Sequence, residues 1–355
     1  PVPTAAPTST PEPTPVPTKV PEEVQTPLPD YRVEVPTDMA AQALASMYGL
    51  TMLGTYHDRA GGYTESGRGW ARIFALNGWT DYSGTGMGGR LANFQQYGPS
   101  YNYYGTGIEV GEDLYRRTTD TGAAEAGGLY AGLGNAGAQV QTVYSTSAAG
   151  TTTLNGYTLG LYLTHQTVKG AYLDGVGQFT WYQNIQARSV LGQDLHSEGG
   201  AYAFSLEGGA TPVSLGNSYV LEPQAQLIYQ YVTLVSGADQ FGLINFAPSN
   251  ALYGRLGLRL ARTWSGNARP VSAWARVNVW DSFNAVANTT FADLDGANAV
   301  TLPIALGGSW LQGGVGVNAQ ISPSTSIFFT GNYQHGLGQA IGHGVSGYLG
   351  AKFTW

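Results

Sequence analysis

Two-residue alternation of apolar and polar positions runs from about residue 69 to the end of the chain, and it is cleanest in the closing "VSGYLGAKFTW". There Val345, Gly347, Leu349, Ala351, Phe353 and Trp355 share one face, and Ser346, Tyr348, Gly350, Lys352 and Thr354 the other. This is the period of a β-strand with one dry and one wet face. Twelve such segments can be laid out, at 69–80, 104–116, 127–140, 156–165, 170–183, 199–208, 218–232, 251–263, 271–281, 306–321, 326–335 and 344–355. In "EPQAQLIYQ", Glu222, Gln224, Gln226 and Gln230 oppose Leu221, Ala225, Leu227, Tyr229 and Tyr231. In "RLGLRL", Arg255 and Arg259 oppose three leucines, and in "AWARVNVW" Arg276 and Asn278 oppose Ala275, Val277 and Val279.

Ahead of the strands the period changes. Met39, Ala40, Ala43, Leu44, Met47 and Leu50 recur at helical spacing, with Pro36 suited to the first turn and Gly54 to the end, so a helix is predicted over Thr37–Leu53. Asp38, Gln42, Ser46 and Thr51 interrupt it as a membrane span, and an amphipathic packing helix is the plain expectation. Before it, 11 of the 18 prolines fall within the first 36 residues, which reads as an extended linker. The chain opens abruptly in this linker without a signal peptide, so a portion upstream of it is expected. The predicted organisation is a linker at 1–30, the helix and its lead-in to the first strand at 31–62, and a strand domain at 63–355.

Composition decides what the alternation means. Only 11% of residues are charged, while Gly at 51 and Tyr at 23 are over-represented. A soluble sandwich would carry many Lys and Glu on its exposed face, whereas here the polar face is Gln, Asn, Thr, Ser, Gly and a few Arg, a chemistry suited to an enclosed wet lumen. Arg72, Glu222, Gln224, Gln226, Arg255, Arg259 and Arg276 are its candidate luminal residues. Trp70, Trp79, Tyr104, Trp181, Tyr219, Trp264, Trp280 and Trp355 are placed in the interfacial girdles of a transmembrane β-barrel. Long connections after segments 1, 3, 5, 7 and 9, against the tight "QTVKG" and "ISPSTS", put both ends of the barrel in the periplasm. A net charge of -7 with no basic cluster excludes nucleic acid as a partner. The absence of Cys removes disulfides, thiolate metal sites and Cys nucleophiles together.

These residues resemble the translocator (β) domain of monomeric autotransporters, the type V secretion proteins of Gram-negative bacteria. The resemblance runs from Tyr31 to Trp355 and rests on "YRVEV" leading into a helix, "HDR" before the first strand, "YLDGVGQFTWY", "EPQAQLIYQ", "RLGLRL" and "YLGAKFTW" in that order. It implies an all-β fold, a twelve-stranded antiparallel transmembrane β-barrel with an N-terminal α-helix in the lumen. It also implies an outer-membrane protein that supports secretion or surface display of an upstream passenger, with membrane lipid, periplasmic chaperones and the barrel-assembly machinery as partners. Tyr348, Gly350, Phe353 and Trp355 would be its assembly signal, with Trp355 where relatives more often carry Phe. Tyr31, Arg32 and Glu34 would stand where the chain enters the luminal helix, with Glu34 beside Arg72, Arg255, Arg259 or Arg276. Some autotransporters cut themselves at an Asn-Asn bond inside the barrel; no such pair stands near this helix, and that activity is not carried over.

Other chemistry is thin. "GTGMGG" satisfies a dinucleotide fingerprint at Gly84, Gly86 and Gly89, but "RLANFQQYGPS" behind it reads as an external loop rather than a helix. The five His residues show no metal spacing, and neither a metal nor a cofactor is expected. Competing readings are a barrel enzyme of phospholipase or protease type, for which His165 with Thr167, or Asp194, His196 and Ser197, are the available groups, and a passive porin, which a luminal helix would obstruct.

Overall fold

The computed structural model describes residues 29–60, 68–82, 84–265, 269–338 and 341–354. The chain divides into two units, Pro1–Tyr31 and Arg32–Trp355. Of the first, only residues 29–31 are described; the linker stretch 1–28 and the terminal Trp355 lie outside the described residues.

In the second unit twelve long strands pair in sequence order: β1 (Gly69–Asp81), β2 (Tyr101–Thr118), β3 (Ala124–Gln141), β4 (Ala148–Gln166), β5 (Tyr172–Ser189), β6 (Asp194–Gly209), β7 (Tyr219–Leu234), β8 (Ser249–Ser265), β9 (Pro270–Phe283), β10 (Trp310–Ser322), β11 (Thr325–Gly336) and β12 (Ile341–Phe353). Every pairing is antiparallel, and β12 pairs with β1 from Gly69↔Phe353 to Asp81↔Ile341. The sheet is therefore a closed barrel with no unpaired edge.

The alternation sets which side chains face out. Leu129, Leu133, Leu159, Leu161, Leu206, Leu227, Leu256, Val277, Val279, Val315 and Leu349 are between 46% and 70% exposed, and they form an apolar belt far larger than soluble surfaces carry. The alternate positions face inward, and many of them are buried polar residues such as Arg72, Glu109, Gln178, Glu222 and Arg276. No helix among the described residues is long and apolar enough to cross a membrane; the apolar belt of the closed sheet is a surface suited to lipid.

Several strands run further than the alternation indicates. In β5 the register slips between Tyr182 and Ile185, where Asn184 takes φ 51°, so Tyr182 and Ile185 both point inward although their positions differ in parity. A bulge of this kind re-aims every later side chain, which is why the period appears to end near residue 183. The same extension shortens the connections after β3 and β5 to residues 142–147 and 190–193, so these are not the long loops expected. The long connections follow β1, β7 and β9, at one end of the barrel; the other end carries the turns at 119–123, 167–171 and 323–324.

The long connections are folded. The one after β1 contains helix α3 (Gly86–Tyr97), a correction to the loop expected there. The Gly84, Gly86 and Gly89 pattern thus does precede a helix, but its strand belongs to an antiparallel barrel and not to a βαβ unit. Short strands at Gly237–Ala238, Leu243–Phe246, Val286–Ala292 and Val300–Ala305 form a separate sheet from the connections after β7 and β9. Ile244, Phe246, Ala287 and Ile304 are buried in it.

Helix α1 (Val35–Leu53) lies inside the barrel, and α2 (Tyr56–Ala60) follows it. Sixteen of its residues are buried, on every side, which is the signature of a helix enclosed all round rather than amphipathic. Gly54 ends it at φ 61°, with a Cβ there only 3.0 Å from the Arg72 guanidinium, so both backbone and space call for Gly.

Leu161 sits mid-strand between Leu129 and Gly177 on the outward face. Leu161→Arg should destabilise the barrel by about 2–4 kcal/mol, the cost of a cation near the bilayer midplane. Denaturant titration in lipid vesicles checks this; a shift under about 0.5 kcal/mol would mean that the position does not face lipid.

Candidate functional site in the barrel lumen

The lumen is shaped around α1. Tyr48 and Met52 press against the wall where β3 and β4 carry glycine: a Cβ on Gly156 would meet the Tyr48 ring at 2.1 Å, and one on Gly132 the end of Met52 at 2.3 Å. Tyr48 donates its hydroxyl to Gly156 O at 2.9 Å, so ring and glycine are one contact. Across the helix, Tyr182 Oη donates to Ala45 O at 2.7 Å and Gln178 Nε2 to Gly49 O at 2.9 Å. Ser46 and Gln230 exchange two bonds, Oγ to Oε1 at 2.6 Å and Nε2 to Ser46 O at 3.0 Å. These bonds give buried luminal polar groups partners on the helix backbone.

The helix has a fixed direction. Its first turns lie at the end with the long connections: Thr152 Oγ1 donates to Thr37 O at 2.7 Å, and Gln42 bonds Ala247 O at 2.8 Å and Thr289 at 3.0 Å, both in the loop sheet's segments. Its last turn lies toward the tight turns, where Arg72 Nη2 donates to Met52 O at 2.8 Å and Gln226 Nε2 to Gly54 O at 3.1 Å. Ala43, Met47, Leu50, Thr51 and Gly54, a stripe at helical spacing, border a cavity of about 500 Å³ on the side away from β3–β6, lined also by Tyr103, Trp280 and Gln312. The helix therefore fills the lumen against one wall and leaves a gap along the other.

Below the helix, three consecutive residues of α2 reach three strands. His57 Nε2 lies 2.7 Å from Glu222 of β7, Asp58 Oδ1 3.0 Å from Arg276 of β9, and Arg59 Nη2 2.5 Å from Asp174 of β5. Arg72 pairs with Glu109, and Arg255 Nη2 with Glu207 Oε1 at 2.9 Å. Five buried arginines (Arg59, Arg72, Arg255, Arg259, Arg276) thus share this layer with five buried carboxylates (Asp58, Glu109, Asp174, Glu207, Glu222). The charges balance, as a dry interior requires. Aromatic faces complete the layer: Arg59 lies over Tyr162, Arg72 over Trp70 and Tyr348, Arg255 over Trp280, and Arg259 and Arg276 over Trp274.

The seven residues assigned to the polar face, Arg72, Glu222, Gln224, Gln226, Arg255, Arg259 and Arg276, are all buried and all point inward. Glu34 is the N-cap residue of α1 but reaches none of the named arginines; its carboxylate lies 2.8 Å from Arg32 Nε, at the opposite end of the lumen. Arg72 and Arg255 pair instead with the strand carboxylates Glu109 and Glu207, and Arg276 with Asp58 of the "HDR" triplet. Trp70 and Trp280 are also corrected: 6% and 9% exposed, they face the lumen, because their parity is that of Arg72 and Arg276. Tyr104, Trp181, Tyr219 and Trp264 do face outward, between 37% and 45% exposed. On β12, Tyr348 is buried and Phe353 is 40% exposed. The enzyme candidates are otherwise engaged: Asp194 binds Arg188, Ser197 donates to Val235 O at 2.6 Å, and His165 lies 3.4 Å from Glu125.

Residues 82–332 match the family model described as Autotransporter beta-domain. The Escherichia coli (strain K12) protein YuaQ is 28% identical over 250 residues, 64% of this chain and 17% of that protein. The Brucella suis biovar 1 (strain 1330) adhesin BmaC autotransporter is 32% identical over 138 residues, 37% of this chain and 4% of that protein. The chain thus spans less than a fifth of the length of these curated relatives. Among solved structures, the transport unit of autotransporter AIDA-I from Escherichia coli gives a TM-score of 0.67 at 17% identity, over 92% of this chain and 100% of that one. The β domain of the Bordetella autotransporter BrkA gives 0.62 at 20%, over 82% and 100%. The translocator domain of NalP from Neisseria meningitidis gives 0.63 at 15%, over 90% and 98%. These structures share the fold.

The Asp58–Arg276 pair ties α2 to the wall. Asp58→Ala should cost about 3–5 kcal/mol, because it leaves a buried guanidinium without its carboxylate, whereas Asp58→Leu with Arg276→Met should be less damaging than either single change. Thermal melting of the single and double variants in detergent checks this; additive losses would show that the two residues are not coupled.

Proposed function

The chain belongs to the autotransporter beta-domain family, and from that membership we propose that α1 is connecting polypeptide retained in the lumen after an upstream passenger has reached the cell surface. The protein is a translocator barrel of the Gram-negative outer membrane, a transport unit in the class of its relatives. In such barrels short turns are periplasmic and long loops external. The observation that carries the proposal is the direction of α1, whose first turns bond the loop-bearing end and whose last turn bonds the turn end. A passenger joined ahead of the helix then has its nearest residues outside the cell, and the residues around Tyr31, Arg32 and Glu34 are where the chain enters the lumen. This chain contributes no catalytic step of its own.

Assembly depends on closure. The last strand must find the first, and Tyr348, Gly350, Phe353 and Trp355 serve as the signal read by the barrel-assembly machinery, with periplasmic chaperones keeping the chain unfolded until then. Lys352 and Gly350 share the inward parity of β12, and Phe353 the outward one.

An epitope placed ahead of residue 1, behind a secretion signal, tests display. It should be reached by antibody on intact cells for the parent chain and for Lys352→Gln, and be lost with Phe353→Asp; equal display from both variants would remove Phe353 from the assembly signal.

Deletion of residues 31–53 tests the helix. The barrel carries its own hydrogen-bonded ladder, so it should still form and migrate in a heat-modifiable way, but melt lower and conduct more ions in planar bilayers. Unchanged conductance from a folded barrel would sink the proposal.

A further inference from the structure

At the loop-bearing end of β11 and β12, His335 and His343 stand directly opposite one another in the antiparallel ladder. Their rings are 4.6 Å apart and tilted by 34°, with Nδ1 facing Nδ1 at 3.1 Å. Tyr333 Oη lies 2.5 Å from the same Nδ1 of His343, and its ring stacks on that imidazole. Trp79 of β1 closes the other side, its ring 4.8 Å from that of His343. All three neighbours of His343 share the outward parity, and the pair stands one and two residues from the strand limits at Gly336 and Ile341, at the rim of the barrel rather than in the mid-strand belt. Nothing in the translocation role uses these groups.

We propose that His335 and His343, with Tyr333 as a third oxygen donor, form a surface site for a late first-row divalent cation such as Cu²⁺, Ni²⁺ or Zn²⁺. The spacing suits that class. Two nitrogens each about 2.0–2.1 Å from an ion stand about 2.9 Å apart at a right angle and about 3.3 Å apart in a tetrahedron. The observed 3.1 Å falls between these values without any movement of the strands. Without metal, one imidazole N–H donates to the facing Nδ1 of the other, and the cation takes that hydrogen's place. Imidazole selects these metals over Mg²⁺ and Ca²⁺, which prefer all-oxygen shells. Among the described residues no group of three or more His, Cys, Asp or Glu comes together, so the site is two imidazoles, joined by the phenol once its oxygen draws back from 2.5 Å to about 2.9 Å from Nδ1, with the remaining positions left to solvent. Such an ion cross-links the ends of β11 and β12, next to the β12–β1 pairing that closes the barrel.

The test uses the whole chain, refolded in detergent without an oligohistidine tag and titrated with Cu²⁺. The chain has no Cys, so thiol reduction does not interfere. The expected result is one Cu²⁺ per chain with electron-spin coupling to two nitrogens, lost in His335→Ala and in His343→Ala but kept when the exposed His165 and His196 are replaced. Zn²⁺ should raise the melting temperature of the parent chain and leave that of His343→Ala unchanged, since a ligand stabilises only the state that binds it. Heat-modifiable migration confirms that each variant is folded. A two-nitrogen Cu²⁺ signal that survives in folded His335→Ala or His343→Ala, or a parent chain whose Cu²⁺ shows no coupling to two nitrogens, would overturn the site.

Discussion

The pairing of β12 with β1 is the constraint on which the rest depends. In hydrocarbon each unpaired backbone N–H or C=O costs several kcal/mol, so a sheet can cross a membrane only if it has no edge. Thirteen residue pairs, from Gly69↔Phe353 to Asp81↔Ile341, provide that closure. Once the sheet is closed, its two faces meet different solvents: leucines and valines meet lipid, and the polar row has only the lumen to face.

A lumen of this width is too small to be bulk water and too polar to be an ordinary core. The chain fills it in two ways. Along β3–β7 the wall offers glycines and amide or hydroxyl side chains that dock α1, matching the bulk of Tyr48 and Met52 to the missing side chains of Gly156 and Gly132. Toward the turn end, where α1 stops at Gly54, five arginines and five carboxylates form a neutral layer braced by aromatic rings. The "HDR" triplet of α2 is the joint between the two, since each of its side chains reaches a different strand. Because the helix hugs one wall, a cavity of about 500 Å³ remains beside the Met47–Leu50 stripe.

Twelve strands, their inward and outward faces, and the helix ahead of them arise from local rules acting on the sequence. A period of two cannot belong to a helix, a lipid-facing row must be apolar, and a helix ends where Gly54 can take a positive φ. The inward Arg255, Arg259 and Arg276, and the outward leucines beside them, are legible from parity alone because each strand is wetted on one side only. Parity was also available for Trp70 and Trp280, yet ring chemistry suggested girdles; the lumen takes aromatic rings too, as platforms for arginine.

What only the tertiary structure decides is who meets whom across the barrel. Glu34 and Arg276 are both buried, but α1 separates them by the length of the lumen, and no spacing in sequence reports that distance. The bulge at Asn184 reverses the parity of the rest of β5, and helix α3 and the loop sheet form where long connections pack on one another. The pairing of Asp58 with Arg276 spans 218 positions, and that of His335 with His343 needs the register of two strands. Local sequence sets the state of each segment because its forces act within a few residues. Partners across a lumen depend on closure, which exists only when the whole sheet does.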